Sequence, residues 1–275
     1  MIEQKNNEKN MDIKLDFEIT VNGFVFNEII KLLKIESNEI RFMLGKDGIK
    51  VTTIDPSHVS MLNIVIPIDV FINYNVKENT SLTIDLKRLP KIRDDKTVYL
   101  SRIQDKFKIH YNNMVQEIPE LDYYSVSVPR IPDLSSKDSL IVKTESLKNF
   151  IFESAKISND MKIEFDNTEV NNKKIILTSA SDKGKIECKL YEESKSDFYY
   201  DFSSKDSYEN KEKVISHYSL DYLNKLMKNM NFVNEIKIKY KTNYPMEIDF
   251  ELPEINKKNA KGTIPVRYFL ANRYE

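Results

Sequence analysis

The sequence predicts an α+β protein made of two similar domains. Most apolar residues alternate with polar ones, as in antiparallel strands, and only a few segments place them at helical spacing. The order of elements occurs twice, because the hairpin that begins at residue 47 has a counterpart that begins at residue 172. We therefore predict a disordered tail at residues 1–10, a domain at 11–120, an extended linker at 121–138 and a second domain at 139–275.

Each domain is expected to pack two helices on an antiparallel sheet. In the first domain a helix over residues 23–34 follows from its apolar spacing, and Asn22 is a suitable N-cap. The second helix, over residues 86–92, contains Pro90, which removes a backbone hydrogen bond and predicts a short or kinked helix. The second domain repeats the pair at 146–157 and 220–228. Strands are predicted for the alternating segments 11–19, 97–103, 107–113, 114–121, 139–144, 235–241, 246–252 and 262–271, and for the two hairpins.

The first hairpin raises a question of function. It begins at the turn Asp47-Gly48, and its two strands are separated by a polar cluster that includes Asp55, Ser57 and His58. Adjacent serine and histidine residues suggest either catalysis or recognition. On an extended chain their side chains point to opposite faces, which does not suit the hydrogen bond between a nucleophile and its base. A hydrolase is therefore the weakest of the functional interpretations.

The composition argues against several classes of protein. Lys+Arg is 42 and Asp+Glu is 43, so the net charge of −1 gives no global signal for nucleic acid. A single cysteine, Cys188, allows no internal disulfide and indicates a packed thiol in a reducing compartment. The five glycines form no phosphate-binding motif, and no His/Cys/Asp spacing suits a metal, so neither a cofactor nor a metal is expected. No segment reaches the roughly 20 apolar residues of a membrane helix, and the start has no signal-peptide core.

Lysine is concentrated on the predicted helices. Two interpretations are open: lysine is a good helix former that favours solvent, or the helices together build one basic surface for nucleic acid. The residues concerned are Lys31, Lys34, Lys87, Arg88, Lys91, Arg93, Lys148, Lys156, Lys225 and Lys228.

Several segments together resemble one family. The block "DGIKVTTIDPSHVSML" at 47–62, the proline-containing linker, "YPMEIDFEL" and the terminal "FLANRYE" are similar to the DNA sliding clamps, that is, proliferating cell nuclear antigen and its archaeal relatives. The resemblance covers residues 11–275, and the proline after Asp55 is more typical of the archaeal branch. It implies a closed ring of three subunits that encircles duplex DNA without reading its sequence. It also implies a non-enzymatic processivity factor whose partners are DNA polymerase, flap nuclease, DNA ligase and the clamp loader. The expected location is the cytoplasm of an archaeal-like cell, or the nucleus of a eukaryote.

The resemblance further implies three sets of site residues. Side chains that line the hole and contact DNA would be Lys31, Lys34, Lys87, Arg88, Lys91, Lys148, Lys225 and Lys228. A front-face pocket for partner peptides would include Ile54, His58, Val59, Met61, Tyr124, Val126, Val128, Ile131, Pro245, Phe269, Leu270, Ala271 and Asn272. Edge strands that join neighbouring subunits would contain Met114, Val115 and Ile118 on one side, and Lys185, Ile186, Cys188 and Leu190 on the other.

Two departures and one alternative accompany the resemblance. Pro90 makes Lys91 and Arg93 less suitable as lining residues, and Asn272 stands where the family usually has proline, so a looser tail with weaker partner binding is expected. The ring can be a homotrimer. Alternatively, the chain is a diverged clamp-like subunit that acts only in a heterotrimer with paralogues, or in transcription.

Overall fold

The computed structural model describes residues 15–103, 106–133, 139–166, 174–191, 198–201, 213–252 and 262–273, with only the backbone described for 198–201. The predicted tail at 1–10 lies outside these ranges, as do residues 134–138 of the predicted linker. Within them the α+β architecture with two similar domains is confirmed, because a few helices pack on antiparallel sheets in each half of the chain.

The described strands form three antiparallel sheets. The first contains, in spatial order, β5 (Asn73–Val76), β1 (Leu15–Asn22), β7 (Thr97–Ile103), β8 (Lys106–Tyr111) and β9 (Met114–Ile118). The central sheet contains β14 (Phe198–Asp201), β10 (Ser139–Lys143), β16 (Glu235–Lys239), β17 (Met246–Leu252), β18 (Ile264–Leu270), β4 (Ser60–Pro67), β3 (Gly48–Ile54), β2 (Glu39–Gly45) and β6 (Thr80–Asp85). The third contains β13 (Gly184–Tyr191), β12 (Lys174–Ser181), β11 (Asp160–Asp166) and β15 (Val214–Ser219).

The central sheet runs without interruption from the second domain into the first. The joint is the antiparallel pairing of β18 with β4, in which Phe269 lies opposite Met61 and Leu270 opposite Ser60. Because side chains alternate across a strand, Leu62, Ile64 and Tyr268 point to the core and are fully or almost fully buried. The loop that joins β3 to β4 therefore lies beside β18, as a consequence of this register.

Three α-helices are described. Helix α1 (Gly23–Leu33) begins as predicted, because Oδ1 of Asn22 accepts a hydrogen bond of 2.9 Å from the Phe24 N–H. Helix α2 (Thr144–Ser154) packs against α3 (Leu220–Lys228) in the second domain. The N-terminus of α1 reaches the loop after α3, where the rings of Phe24 and Phe232 meet edge to face at 5.2 Å. No helix in the described part of the chain is long and apolar enough to cross a membrane.

The predicted second helix of the first domain is wrong in extent. Only a 3-10 turn, Leu86–Arg88, forms, and the Asp85 side chain caps it by accepting from the Lys87 N–H. Pro90 stops its continuation, since proline lacks a donor and clashes with the preceding turn. The irregular segment that follows packs on the start of α1, and a Cβ atom at Gly23 would lie 2.3 Å from the Arg93 carbonyl oxygen. The apolar core of this domain contains a cavity of about 60 Å³, lined in part by Leu89 of that segment.

Candidate functional site

The loop between β3 and β4, residues 55–60 (the hairpin loop), is organised by one carboxylate. Asp55 is buried, and its Oδ1 accepts hydrogen bonds from the backbone N–H groups of Val59 at 2.6 Å and Ser60 at 2.7 Å. Its Oδ2 accepts from the Ser57 N–H at 3.0 Å. This network allows His58 to adopt a left-handed backbone with φ of 59°. The polar cluster noticed in the sequence therefore has a structural purpose: it fixes a tight turn at the edge of a candidate pocket.

Helix α3 of the second domain also contacts this carboxylate. The Tyr222 hydroxyl donates to Oδ2 of Asp55 at 2.8 Å. Burial acts to raise the pKa of the Asp55 carboxyl, but the hydrogen bonds from Ser60, Tyr222, Ser57 and Val59 together hold it below its usual value. Asp55 is thus a charged anchor between the domains. Sequence reasoning missed Tyr222, because no spacing rule relates residues so far apart in the chain.

The apolar part of the candidate pocket lies on one face of the central sheet. Ile54 pairs with Met61, and Met61 pairs with Phe269, so the three side chains form a row across β3, β4 and β18. Ile54, Val59, Met61 and Pro245 are partly exposed, whereas Phe269 and Leu270 are buried. The row therefore offers a partly open apolar surface with Phe269 at its closed end.

The predicted linker is attached to the central sheet at its start. The Leu121 N–H donates to the Thr83 carbonyl at 2.8 Å, and the Arg41 guanidinium lies 3.9 Å from the centre of the Tyr123 ring. Tyr124 is 88% exposed, and it meets Tyr123 edge to face. Val128 and Ile131 are also exposed, and Val126 is partly buried. After the 3-10 turn Tyr123–Ser125, the described part of the linker has no regular structure.

The C-terminal tail is held on both sides of Asn272. The Ala271 N–H donates to the Val59 carbonyl at 2.9 Å, and the Arg273 N–H donates to the His217 carbonyl at 2.8 Å. The Arg273 guanidinium also contacts the Asn159 carbonyl at 3.2 Å. These backbone hydrogen bonds tie residues 271 and 273 to the body of the protein, and a tail looser than in the rest of the family stays a prediction. The Asn272 side-chain nitrogen is buried and has no hydrogen-bond partner within the described ranges.

Most of the basic residues predicted to face DNA have side chains exposed to solvent. Lys148 is partly buried, with Nζ 2.8 Å from the Asn231 side-chain oxygen, and all the others are exposed. Two are held by acidic neighbours, because Lys31 pairs with Glu28 at 2.5 Å and Arg88 lies 3.8 Å from Asp85. Those on helices or the 3-10 turn are Lys31, Lys148, Lys225, Lys228, Lys87 and Arg88, while Lys34 caps α1 and Lys91 lies in the irregular segment after Pro90.

The predicted subunit edges are both end strands of their sheets. β9 ends the first sheet and β13 ends the third, so each has one side without a described strand partner. Met114 and Val115 are exposed on β9, and Lys185 is exposed on β13. Ile186 and Cys188 are partly buried, whereas Ile118 and Leu190 lie in the core. Ile118 and Leu190 can therefore contribute only backbone groups to an edge contact, contrary to a role for their side chains.

Comparison with known proteins agrees with this architecture. Residues 13–110 match the family model of the proliferating cell nuclear antigen N-terminal domain. The DNA polymerase sliding clamp of Thermoplasma volcanium is 25% identical over 90% of this chain and 95% of its own length. That of Picrophilus torridus is 28% identical over 73% of this chain and 78% of its own length.

Solved structures extend the likeness to the whole fold. The complex described as "C-terminal region of FEN-1 bound to A. fulgidus PCNA" superimposes with a TM-score of 0.77 at 22% identity, over 94% of this chain and 99% of that one. The PCNA of Thermococcus kodakaraensis superimposes with a TM-score of 0.75 at 18% identity, over 94% of this chain and 100% of that one. The fold is thus that of the sliding clamps. Together the comparisons support a sliding clamp of the proliferating cell nuclear antigen family, as the sequence resemblance predicted.

Proposed function

We propose that the protein is a DNA sliding clamp, which holds a DNA polymerase on duplex DNA and recruits replication and repair proteins. Relatives named as DNA polymerase sliding clamps match up to 94% of the chain. The observation that carries the proposal is that β9 and β13 are two of the six end strands of the described sheets and belong to different domains, because two such edges allow copies of one chain to join head to tail and close a ring. The role requires no chemistry by side chains, so we propose that the protein is not an enzyme. A cytoplasmic location is proposed with it.

The partner at each open edge is proposed to be a second copy of the chain. β9 has one charged side chain, Glu117, whereas β13 has Lys185 and Lys189 beside a single acid, Glu187. The two edges therefore have opposite net charge, which favours their pairing over self-pairing of either. The exposed apolar surface of Val115 on β9 would be covered by the same contact.

Cysteine cross-linking tests this pairing directly. Cys188 on β13 is the only native cysteine, so a disulfide between it and a cysteine introduced on β9 can link three chains head to tail, whereas a symmetric disulfide between like cysteines links only two. The variants Met114→Cys, Val115→Cys and Gln116→Cys sample the possible registers. At least one should give a covalent trimer on a non-reducing gel, and Met43→Cys, exposed on β2, is the matched control. A chain that stays monomeric in every variant would instead point to paralogous subunits.

The exposed lysines are proposed to face the hole and contact phosphates. Such contacts attract the duplex without fixing its register, so the clamp can slide. Each phosphate contact that is lost should reduce the salt dependence of log K by about 0.9. Replacing Lys31, Lys225 and Lys228 with glutamate should weaken DNA retention equally on all sequences. Lys50→Glu on β3, whose side chain is also exposed, is the control. Unchanged retention in the triple variant would contradict the lining assignment.

Partner proteins are proposed to dock a short peptide at the row Ile54, Met61 and Phe269, with the linker as a covering segment. An apolar side chain gains roughly 25 cal/mol per Å² of buried surface, and a methionine wall adapts to different shapes. In the A. fulgidus complex, the C-terminal region of FEN-1 is bound to a related clamp. Polymerase, flap nuclease, ligase and clamp loader are proposed as partners of this chain. Removing residues 271–275 should abolish binding of that peptide while ring assembly survives.

A further inference from the structure

A buried carboxyl lies behind the hairpin loop. Glu36 follows α1 in the chain, and only 5% of its surface is exposed. Its Oε2 accepts a hydrogen bond of 2.6 Å from the Ser60 hydroxyl, at the end of the loop. Its Oε1 is buried and finds no hydrogen-bond partner among the residues described. An ionised carboxylate at this position therefore has one oxygen without a donor, which is a costly arrangement.

Few neighbouring positive charges offset the free-energy cost of ionising Glu36. Burial is the main cause that raises the pKa of Glu36 to about 7, and the negative charge of Asp55 acts in the same direction. The Ser60 hydrogen bond, the Lys225 ammonium and the Asp55 backbone N–H act in the opposite direction and are outweighed. The other titratable groups that sense this charge are two tyrosines. Tyr222 bonds to Asp55, and the hydroxyl of Tyr268 is buried without a described partner. Glu36 therefore changes its charge within the neutral range of pH.

The bond from Glu36 reaches a residue between two pocket side chains. Ser60 lies between Val59 and Met61, which are partly exposed on the pocket side, while Ser60 itself is buried. Ser60 also lies opposite Leu270 in β18, and the next residue of the tail, Ala271, bonds to the Val59 carbonyl. Any displacement of Ser60 would therefore move the loop and the tail, which form two walls of the pocket.

We propose that Glu36 is a positioning residue for the partner pocket, which keeps the hairpin loop seated when its carboxyl is protonated and loosens it when ionised. This inference rests on the proposed function. The ionised form places a second negative charge beside Asp55, whose own charge holds the loop N–H groups. A bound peptide packs on the seated loop and so favours the protonated form, which holds the loop in place. Peptide binding should therefore take up a proton, and affinity should fall as the pH rises.

Peptide titration gives the first test. The C-terminal FEN-1 peptide of the A. fulgidus complex is titrated by calorimetry at about pH 6, 7 and 8, in buffers of different ionisation enthalpy. Wild type should bind about fivefold more weakly at pH 8 than at pH 6 and take up a proton near pH 7. The peptide affinity of Glu36→Gln should change by less than about twofold over the same pH range, and its binding should take up no proton. His58→Gln, which removes the imidazole of the hairpin loop, is measured in parallel, and its ratio of affinities between pH 6 and pH 8 should equal that of wild type.

Hydrogen exchange gives a second test that needs no peptide. The Val59 and Ser60 amides, which donate to Asp55, should lose protection in wild type as the pH rises, after correction for intrinsic exchange, and should not do so in Glu36→Gln. In Ser60→Ala the midpoint should move to higher pH, because the lost hydrogen bond had lowered the pKa of Glu36. Equal pH dependence in wild type and Glu36→Gln would overturn the inference. Absence of peptide binding at every pH would instead count against the proposed partner role, and the exchange data would still decide the role of Glu36.

Discussion

The hydroxyl of Tyr222 on α3 donates a hydrogen bond of 2.8 Å to Asp55, although 167 positions separate the two residues in the chain. Asp55 holds the hairpin loop through backbone N–H groups, and the Lys225 ammonium lies 5.2 Å from the centre of the Tyr222 ring. One helix of the second domain thus contributes both a lysine proposed to face DNA and a contact that fixes the proposed partner loop of the first domain.

Replacing Tyr222 with phenylalanine should weaken the joint between the domains. A hydrogen bond to a charged group contributes about 1.5–3 kcal/mol, so the free energy of unfolding at pH 7 should fall by about that amount. Asp55 has a lowered pKa, so its contribution is present above its unfolded pKa and is lost as the pH falls through the folded pKa. The effect of Tyr222→Phe in urea unfolding should therefore shrink in acid. Tyr124→Phe, at an exposed position, is the control and should change little at either pH. An equal loss in both variants would contradict the account.

Glu36 should make the stability of the protein depend on pH in the opposite direction. Its pKa is raised from 4.5 to about 7, so the folded state holds the proton more tightly than the unfolded chain. The stabilisation by protonated Glu36 is fully present below the pKa of the unfolded state. It is lost as the pH rises through the pKa of the folded state. Between about pH 5 and pH 8, Glu36→Gln should gain about 2.5 kcal/mol in unfolding free energy relative to wild type. The control is Glu153→Gln, at an exposed site on α2, which should show no such trend. A constant difference between Glu36→Gln and wild type would disprove the raised pKa.

Loss of the Arg102 side chain, on β7, should destabilise the first domain more than the loss of most other side chains. It is 12% exposed and contacts Asp16 at 2.9 Å, the Ser81 carbonyl at 2.8 Å and Glu120 at 3.3 Å, as well as the Thr80 hydroxyl. Its removal takes the guanidinium away from two partly buried acids, Asp16 and Glu120, which costs about 3–5 kcal/mol. Arg102→Ala should lower the denaturation midpoint markedly. Arg93→Ala, which removes an exposed pair with Asp95, should cost less than about 1 kcal/mol. Similar costs for both would contradict a buried network.

Proline substitutions on β13 should separate ring assembly from folding. Successive N–H groups of a strand point to opposite sides, so one of Ile186 and Glu187 donates to β12 and the other points to the open edge. Proline at the outward-pointing position should abolish the trimer and leave the fold intact, while proline at the other should destabilise the domain. Sedimentation and circular dichroism measure the two effects. Trimers that persist in both variants would remove β13 from the proposed contact.

Periodicity and turn chemistry predicted much of the fold from local sequence. The N-cap at Asn22, the turn at Asp47-Gly48 and helix α3 all depend on neighbouring residues, and all three are present. The prediction of a helix at 86–92 was wrong in extent, because Pro90 limits it to a 3-10 turn. The sequence indicated a shortened helix but could not predict how short it would be.

The buried polar contacts could not be predicted in the same way. Glu36 follows an apolar helix in a segment that gives no sign of burial, and its partner Ser60 lies on another element. Arg41 and Tyr123 are likewise brought together only by the path of the linker across the central sheet. Such contacts follow from tertiary packing, and local patterns contain no information about them.

Retention on topologically closed DNA tests the central claim most directly. The protein is loaded onto a nicked circular plasmid, washed at about 0.5 M salt to screen the phosphate contacts, and measured before and after the circle is linearised. A ring that encircles the duplex should stay on the circle and leave the linear molecule by sliding off its ends. Equal retention on circular and linear DNA, or loss from both in the wash, would contradict a sliding clamp.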